Sequence, residues 1–166
     1  MTDLKTPAVT THDFRRALGR FASGLTVISG KEDGEPVGFT CQAFYSVSED
    51  PPLVSFSVMR TSTSWPRIRR SGRFAVNLLA EDQHDLAATF ARSGTDKWRD
   101  VNWNPSLLGN PLIYGGLCWI DCELYAEYEA GDHHIVIGRV NQVSPPSETA
   151  AEQPLIYYQG NFHNLR

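Results

Sequence analysis

Residues 118–127 read Cys-Trp-Ile-Asp-Cys-Glu-Leu-Tyr-Ala-Glu, and small or apolar side chains alternate with polar or amphipathic ones. Cys118, Ile120, Cys122, Leu124 and Ala126 fall on one side of an extended chain, and Trp119, Asp121, Glu123, Tyr125 and Glu127 on the other. A period of two predicts a β-strand with one buried and one wet face. Ala130-Gly131-Asp132-His133 then supplies turn residues, and His134 to Val143 returns as the partner strand. Upstream the same pattern recurs. Leu25 to Ser29 reads as a strand, and Lys31-Glu32-Asp33-Gly34-Glu35-Pro36 is a polar turn with Asp-Gly as its hairpin signal. Val37 to Cys41 and Phe44 to Ser48 follow, before Asp50-Pro51-Pro52 breaks the run. Leu53 to Met59, rich in Val and Phe, predicts a buried strand. Arg73 to Leu79 and the short Leu155 to Tyr158 complete the set.

Helices are few. Thr10 or Thr11 would cap a first one, with Asp13 in its first turn, Phe14, Ala17, Leu18 and Phe21 on one face, and Gly24 at its end. Ser62 to Arg70 predicts a short helix that tolerates Pro66 in its first turn. Glu81 to Arg92 predicts another, with Glu81 and Asp82 in the first turn and Leu86, Ala87, Phe90 and Ala91 facing one way. Ser93 to Gly116 is long and irregular, which in a compact domain points to function or mobility. Many short strands with two or three helices predict a mainly β protein, a closed or partly closed antiparallel barrel. The expected organisation is a flexible arm over residues 1–11 and a single domain over 12–166, with no internal repeat.

Bulk properties exclude several classes. With 41% hydrophobic and 20% charged residues over 166 positions, the chain can bury a real core. A net charge of -4 and no block of Lys and Arg argue against a nucleic-acid surface. Arg67, Arg69 and Arg70 form only a short basic cluster. No run approaches the ~20 apolar residues of a membrane span, and the polar stretch Met1 to Thr11 has no signal-peptide core. Three cysteines imply no disulfide framework, so a cytoplasmic location is expected.

Chemical motifs are mostly absent. No G-x-G-x-x-G, G-x-S-x-G or H-E-x-x-H occurs. Gly19 and Gly24 have phosphate-loop spacing, but Leu25-Thr26 stands where Lys and a hydroxyl residue are needed. Cys118 and Cys122 lie roughly 13 Å apart on a strand, too far to share a metal or a disulfide. They read as core thiols, and no metal site is expected.

Four segments carry candidate chemistry, each with an ordinary alternative. Gly38-Phe39-Thr40-Cys41-Gln42-Ala43-Phe44, with Ser46 and Ser48, combines small side chains and exposed backbone that could meet the edge of a flat ring; a bulged strand reads the same way. Thr61-Ser62-Thr63-Ser64-Trp65 clusters hydroxyls that suit either a phosphate or a helix cap. Gly131-Asp132-His133 is a hairpin turn whose His133 is either simply solvated or placed to meet a ligand. Asn77, amid Phe74, Val76, Leu78 and Leu79, is either a satisfied buried amide or a ring contact.

Taken in order, these segments resemble the flavin reductase family, whose members supply reduced flavin to separate monooxygenases. The resemblance runs from about Phe14 to Asn161. It is carried by Phe21-Ala22-Ser23-Gly24-Leu25-Thr26-Val27, the segment from Gly38 to Phe44 with Ser46-Val47-Ser48, and Asp50-Pro51-Pro52-Leu53. Ser64-Trp65, Gly72-Arg73-Phe74-Ala75-Val76-Asn77-Leu78-Leu79, Gln83, Phe90-Ala91 and Asp96-Lys97 follow. Gly131-Asp132-His133, Ile137-Gly138, Pro154-Leu155, Tyr158 and Gly160 close the series.

The resemblance implies an FMN-binding split β-barrel, a homodimer, and hydride transfer from NADH or NADPH to FMN or FAD with no covalent catalyst. It places Phe39, Thr40, Cys41, Gln42, Ala43, Phe44 and Ser46 at the isoalloxazine. Thr61, Ser62, Thr63, Ser64 and Trp65 would face the phosphate and ribityl chain, Asn77 and Leu78 the ring, and Phe90, Ala91 and Lys97 the phosphate or adenylate end. Gly131, Asp132 and His133, with Tyr158 and Phe162, would serve NAD(P)H. Ala43 stands where the family often has Ser. The segment around Thr40 is similar to reductases serving hydroxylases of phenolic compounds. The competing readings are a split-barrel oxidase like those acting on pyridoxamine phosphate, and a flavin- or haem-binding carrier or sensor without turnover.

Overall fold

The computed structural model describes residues 8–144 and 153–165. In chain order its elements are α1 (Thr11–Leu18), β1 (Ser23–Gly24), β2 (Thr26–Glu32), β3 (Glu35–Cys41), β4 (Phe44–Glu49), β5 (Pro52–Met59), α2 (Trp65–Arg69), β6 (Arg73–Leu78) and α3 (His84–Ala91). They continue with β7 (Trp103–Pro105), β8 (Pro111–Ile113), β9 (Cys118–Ala130), β10 (His133–Val143), β11 (Ile156–Tyr158) and β12 (Asn161–His163).

Seven strands form one antiparallel sheet in the order β3-β2-β6-β9-β10-β5-β4. Local chemistry sets its hairpins. Between β2 and β3, Asp33 and Gly34 both take positive φ, 51° and 87°, which gives the strand-twisting two-residue turn that Asp-Gly favours. Between β9 and β10 only Gly131 and Asp132 intervene, with Gly131 at φ 63°. The sheet curls around Phe56, Phe74 and Trp65, whose rings meet edge to face at 5.2 to 6.2 Å, with Ile28, Val76, Cys122 and Val136 packed about them. Its two edges approach without closing. Ser57 N donates to Ala43 O at 3.0 Å, and the Cys41 thiol donates to Ser57 O at 3.6 Å, which holds the link between β3 and β4 against β5. A mostly β, partly closed barrel is therefore what the alternation predicted.

Several boundaries differ from expectation. The first helix starts at Thr11, inside the expected arm, with Thr10 as its cap, and ends at Gly19 rather than Gly24. Residues 1–7 of that arm lie outside the described residues. The α1 helix buries none of its residues, so packing does not extend it to Phe21. The third helix starts at His84, not Glu81: Ala80 is bridged to Pro154, Glu81 N donates to Gln153 O, and Ala80 N donates to the Gln83 carboxamide oxygen, so the chain is still tied to its neighbours there. The second is only Trp65–Arg69, and Ser62 Oγ, not Ser64, accepts from its first backbone N–H.

The expected wet face of β9 is also partly dry. The irregular segment contains the hairpin β7–β8, whose connecting loop brings Leu108 N and the Asn110 carboxamide onto the fully buried Asp121 carboxylate, at 3.4 and 2.8 Å. Farther along, the register slips between Leu124 and Ala126, leaving Tyr125 as an extra residue. Beyond it Glu127 lies opposite the fully buried Val136 and faces inward. Like β7 and β8, the short strands β1 and β12 were not foreseen; these two sandwich β11 in a separate three-stranded sheet.

Candidate functional site

An open cleft of about 370 Å³ lies where the sheet's edges approach. Its walls are Phe39 to Ala43 at the end of β3, Ser57 to Met59 on β5, Thr61 to Ser64, Phe90 to Ser93 at the end of α3, Lys97, and His133.

The β3 strand is an edge, paired only with β2. Gly38 O accepts from Lys97 Nζ at 3.2 Å and so points away from β2. The antiparallel alternation then turns the Thr40 N–H and C=O the same way. Thr40 Oγ1 donates to Ala87 O at 2.6 Å and fastens the strand to α3. The approach requires glycine at 38: an added Cβ would come within 2.8 Å of Phe90 and 3.0 Å of Trp98, whose rings meet edge to face at 4.9 Å.

Lys97 Nζ also donates to Phe90 O at 3.0 Å, so one of its three donors remains for a ligand. Desolvation, and then the positive charge of Arg67, lower its pKa. Thr61 and Thr63 are exposed beside it, whereas Ser62 is spent partly as the cap of α2. Across the cleft, His133 Nδ1 lies 2.7 Å from the Asp132 carboxylate. That hydrogen bond, reinforced by the imidazole's charge, holds the exposed Asp132 carboxyl below its ordinary range. With Nδ1 engaged, Nε2 is the ring nitrogen left for a ligand. Arg60 N donates to Asp132 O at 2.9 Å and ties this turn to the end of β5.

The structure thus gathers Phe39, Thr40, Cys41, Gln42, Ala43, Thr61, Ser62, Thr63, Ser64, Phe90, Ala91, Lys97 and His133 from well-separated stretches. Other candidates lie elsewhere. Gly131 and Asp132 support His133 without lining the cleft. Phe44 and Leu78 border a smaller pocket of about 150 Å³, shared with Gln42. Ser46 is exposed on β4. Tyr158 and Phe162 belong to the three-stranded sheet, where Tyr157 and Phe162 pack at 5.9 Å.

Trp65 and Asn77 do not reach the cleft. Trp65 is buried, and its Nε1 donates to Glu127 at 3.2 Å. The Asn77 carboxamide donates to Val27 O and Ser29 Oγ and accepts from Ile113 N at 2.8 Å, which is the satisfied buried amide. Cys41 lines the wall, but burial pushes its thiol up to about 12, so it packs and does not attack. Among the described residues no group of three or more His, Cys, Asp or Glu could hold a metal ion.

Sequence reasoning missed Ser57, Val58, Met59, Arg92 and Ser93. Arg92 and Ser93 directly follow Phe90-Ala91, a usable signal. Met59 was hidden by reading its strand as buried throughout, whereas the strand's last residue is exposed.

Residues 18–166 match the family described as flavin reductase like domain. The chain belongs to the flavin reductase family. A relative in that family, the flavin-dependent monooxygenase reductase subunit HsaB of Rhodococcus jostii, is 43% identical over 95% of this chain and 80% of its own length. Nitrilotriacetate monooxygenase component B from Mycobacterium thermoresistibile has the same fold, with a TM-score of 0.90 at 41% identity over 93% of this chain and 86% of that one. The NADH:FAD oxidoreductase SgcE6 of Streptomyces globisporus, solved with NAD and FAD fragments, gives 0.87 at 30% identity over 97% and 98%. No described helix of this flavin reductase family member is long and apolar enough to cross a membrane.

Proposed function

We propose that this protein reduces FMN or FAD with NADH or NADPH and releases the reduced flavin to a separate monooxygenase. The carrying observation is the cleft itself, where an edge of unpaired strand backbone, a hydroxyl patch, an ammonium group and an imidazole meet. This donor set fits a flavin. The Thr40 edge can hydrogen-bond the polar rim of a flat ring, and Thr61, Thr63 and Lys97 suit its phosphate. Thr63 adds a second exposed hydroxyl to that of Thr61.

When bound, flavin supplies the hydride acceptor and nicotinamide the donor. The chain's own part is orientation. Phe39 to Ala43 would bound one side of the ring's seat, Phe90 and Ala91 would close another, and His133, whose Nε2 is free of Asp132, would meet the nicotinamide. No side chain needs to form a bond with either substrate.

The working unit we propose is a homodimer, supported by the unburied apolar face of α1. The relatives' names support a monooxygenase partner, and we assign it to hydroxylases of phenolic or other aromatic compounds. Three free cysteines, Cys41, Cys118 and Cys122, suit a reducing cytoplasm.

Purified protein mixed with each nicotinamide and each flavin, with reduced nicotinamide followed by its absorbance, tests the reading. Multiple turnovers with at least one pair are expected. Failure of every pair, with flavin still bound, would leave the carrier reading in its place.

A further inference from the structure

Glu127 sits on the core face of β9 because of the extra residue at Tyr125, and its side chain is only 11% exposed. A buried carboxylate needs partners to offset its lost hydration. Oε1 accepts from Trp65 Nε1 at 3.2 Å and lies 3.2 Å from His134 Nδ1. Oε2 lies 2.6 Å from Arg69 Nε, an ionic contact whose N–H is not aligned on that oxygen. One carboxylate thereby grips the first and last residues of α2, Trp65 and Arg69, and pins the helix to β9 and β10.

The residues immediately before α2 are Thr61 to Ser64, the hydroxyl wall of the cleft, and Ser62 Oγ is bonded to Trp65 N. Any shift of Trp65 is passed directly to that wall. We infer that Glu127 is a positioning residue for flavin: through Trp65 and Arg69 it sets where the Thr61–Ser64 hydroxyls stand. The inference rests on the flavin reductase reading of the cleft. It also explains why Trp65 follows the hydroxyl run although its ring never reaches the cleft. The effect should be confined to flavin. Although His134 touches Glu127, adjacent strand residues point to opposite faces, so His133 is not held by this carboxylate.

The test compares steady-state kinetics, varying flavin and NADH separately, with amide exchange at Ser62 to Trp65. Glu127→Gln keeps an acceptor for Trp65 but loses the charge that holds Arg69. It is expected to raise the KM for flavin about tenfold, the scale of one charge-assisted contact, with kcat and the KM for NADH within about twofold. Exchange at Ser62 to Trp65 should quicken. Should Glu127→Gln fold poorly, the exposed Arg69 gives a second route: Arg69→Gln should raise the flavin KM about threefold, and Arg69→Lys should restore it.

A folded Glu127→Gln with unchanged flavin KM overturns the inference, even if exchange quickens. So does an equal loss in flavin KM, NADH KM and kcat, which marks a merely structural role. Absence of turnover in the wild-type protein overturns the reductase reading itself, and this inference with it, before any variant is made.

Discussion

At the scale of single residues, the cleft separates groups that can act from groups that are spent. His133 has one ring nitrogen committed to Asp132 and the other available, and its side chain is 39% exposed. His133→Ala should raise the KM for NADH about tenfold while the KM for flavin moves less than about twofold, because only its own hydrogen bond is lost. A variant with wild-type kinetics would remove His133 from the site. Cys41 is the opposite case. Its thiol titrates at about 12 in the folded protein against an ordinary 9.0, because burial penalises the thiolate. A raised folded-state pKa means that the folded form keeps its proton longer than the unfolded chain does. The associated stability is whole below pH 9.0 and is lost as pH rises toward 12. Denaturant titrations should therefore show stability falling above pH 9.0, with a shallower fall in Cys41→Val. Cys122, raised to about 12 by burial and by the neighbouring Asp121, adds a parallel loss. Equal slopes in Cys41→Val and wild type would refute the assignment.

At the scale of elements, contacts across the cleft depend on backbone proximity rather than side-chain identity. Gly38→Ala would drive a methyl group into Phe90 and Trp98, and also to 3.1 Å from Ile28 O, which cannot yield easily. We expect a loss of about 1–3 kcal/mol of stability by overpacking and a weaker flavin site, since Phe90 lines the cleft. Thermal melts and flavin titration of the same variant would check both. This dependence also marks what the chain revealed in advance. Strand positions were legible because alternation and Asp-Gly turns are local, as in β9 and the β2–β3 hairpin. Of the cleft, the stretches around Thr40, Thr61 and His133 were legible because each has its own chemistry. Asp121, Glu127 and Trp65 were misplaced for a shared reason: their surroundings come from distant chain. Burial of Asp121 depends on a loop beginning at Ser106, and the inward turn of Glu127 on a one-residue slip against Ile137. Ser57 entered the cleft unannounced because only its carbonyl's contact with the Cys41 thiol, across the barrel's split, brings it beside β3.

At the scale of the whole molecule, α1 is the element that the protomer does not explain. An isolated eight-residue helix is unstable in water unless its apolar stripe is covered. Here Phe14, Leu18 and Phe21 are 56%, 55% and 75% exposed, with Val9 beside them at 75%. Large apolar side chains left together on a surface mark a contact site. A second copy of the chain offers the same patch, and a twofold axis lets one such surface cover its twin. A stable pair of this kind buries more than about 1,000 Å², so α1 must be joined by further surface, for which Tyr45 and Val47 on β4 are available. The double substitution Leu18→Glu and Phe21→Asp places two charges in this patch and removes no buried side chain, because Leu18 in α1 and Phe21 just after it are both exposed. Sedimentation equilibrium should give twice the chain mass for the wild type and a single chain for the variant, with unchanged far-ultraviolet circular dichroism. A wild-type monomer at micromolar concentration, or a variant that still pairs, would show that the exposed helix serves some other contact and that each protomer works alone.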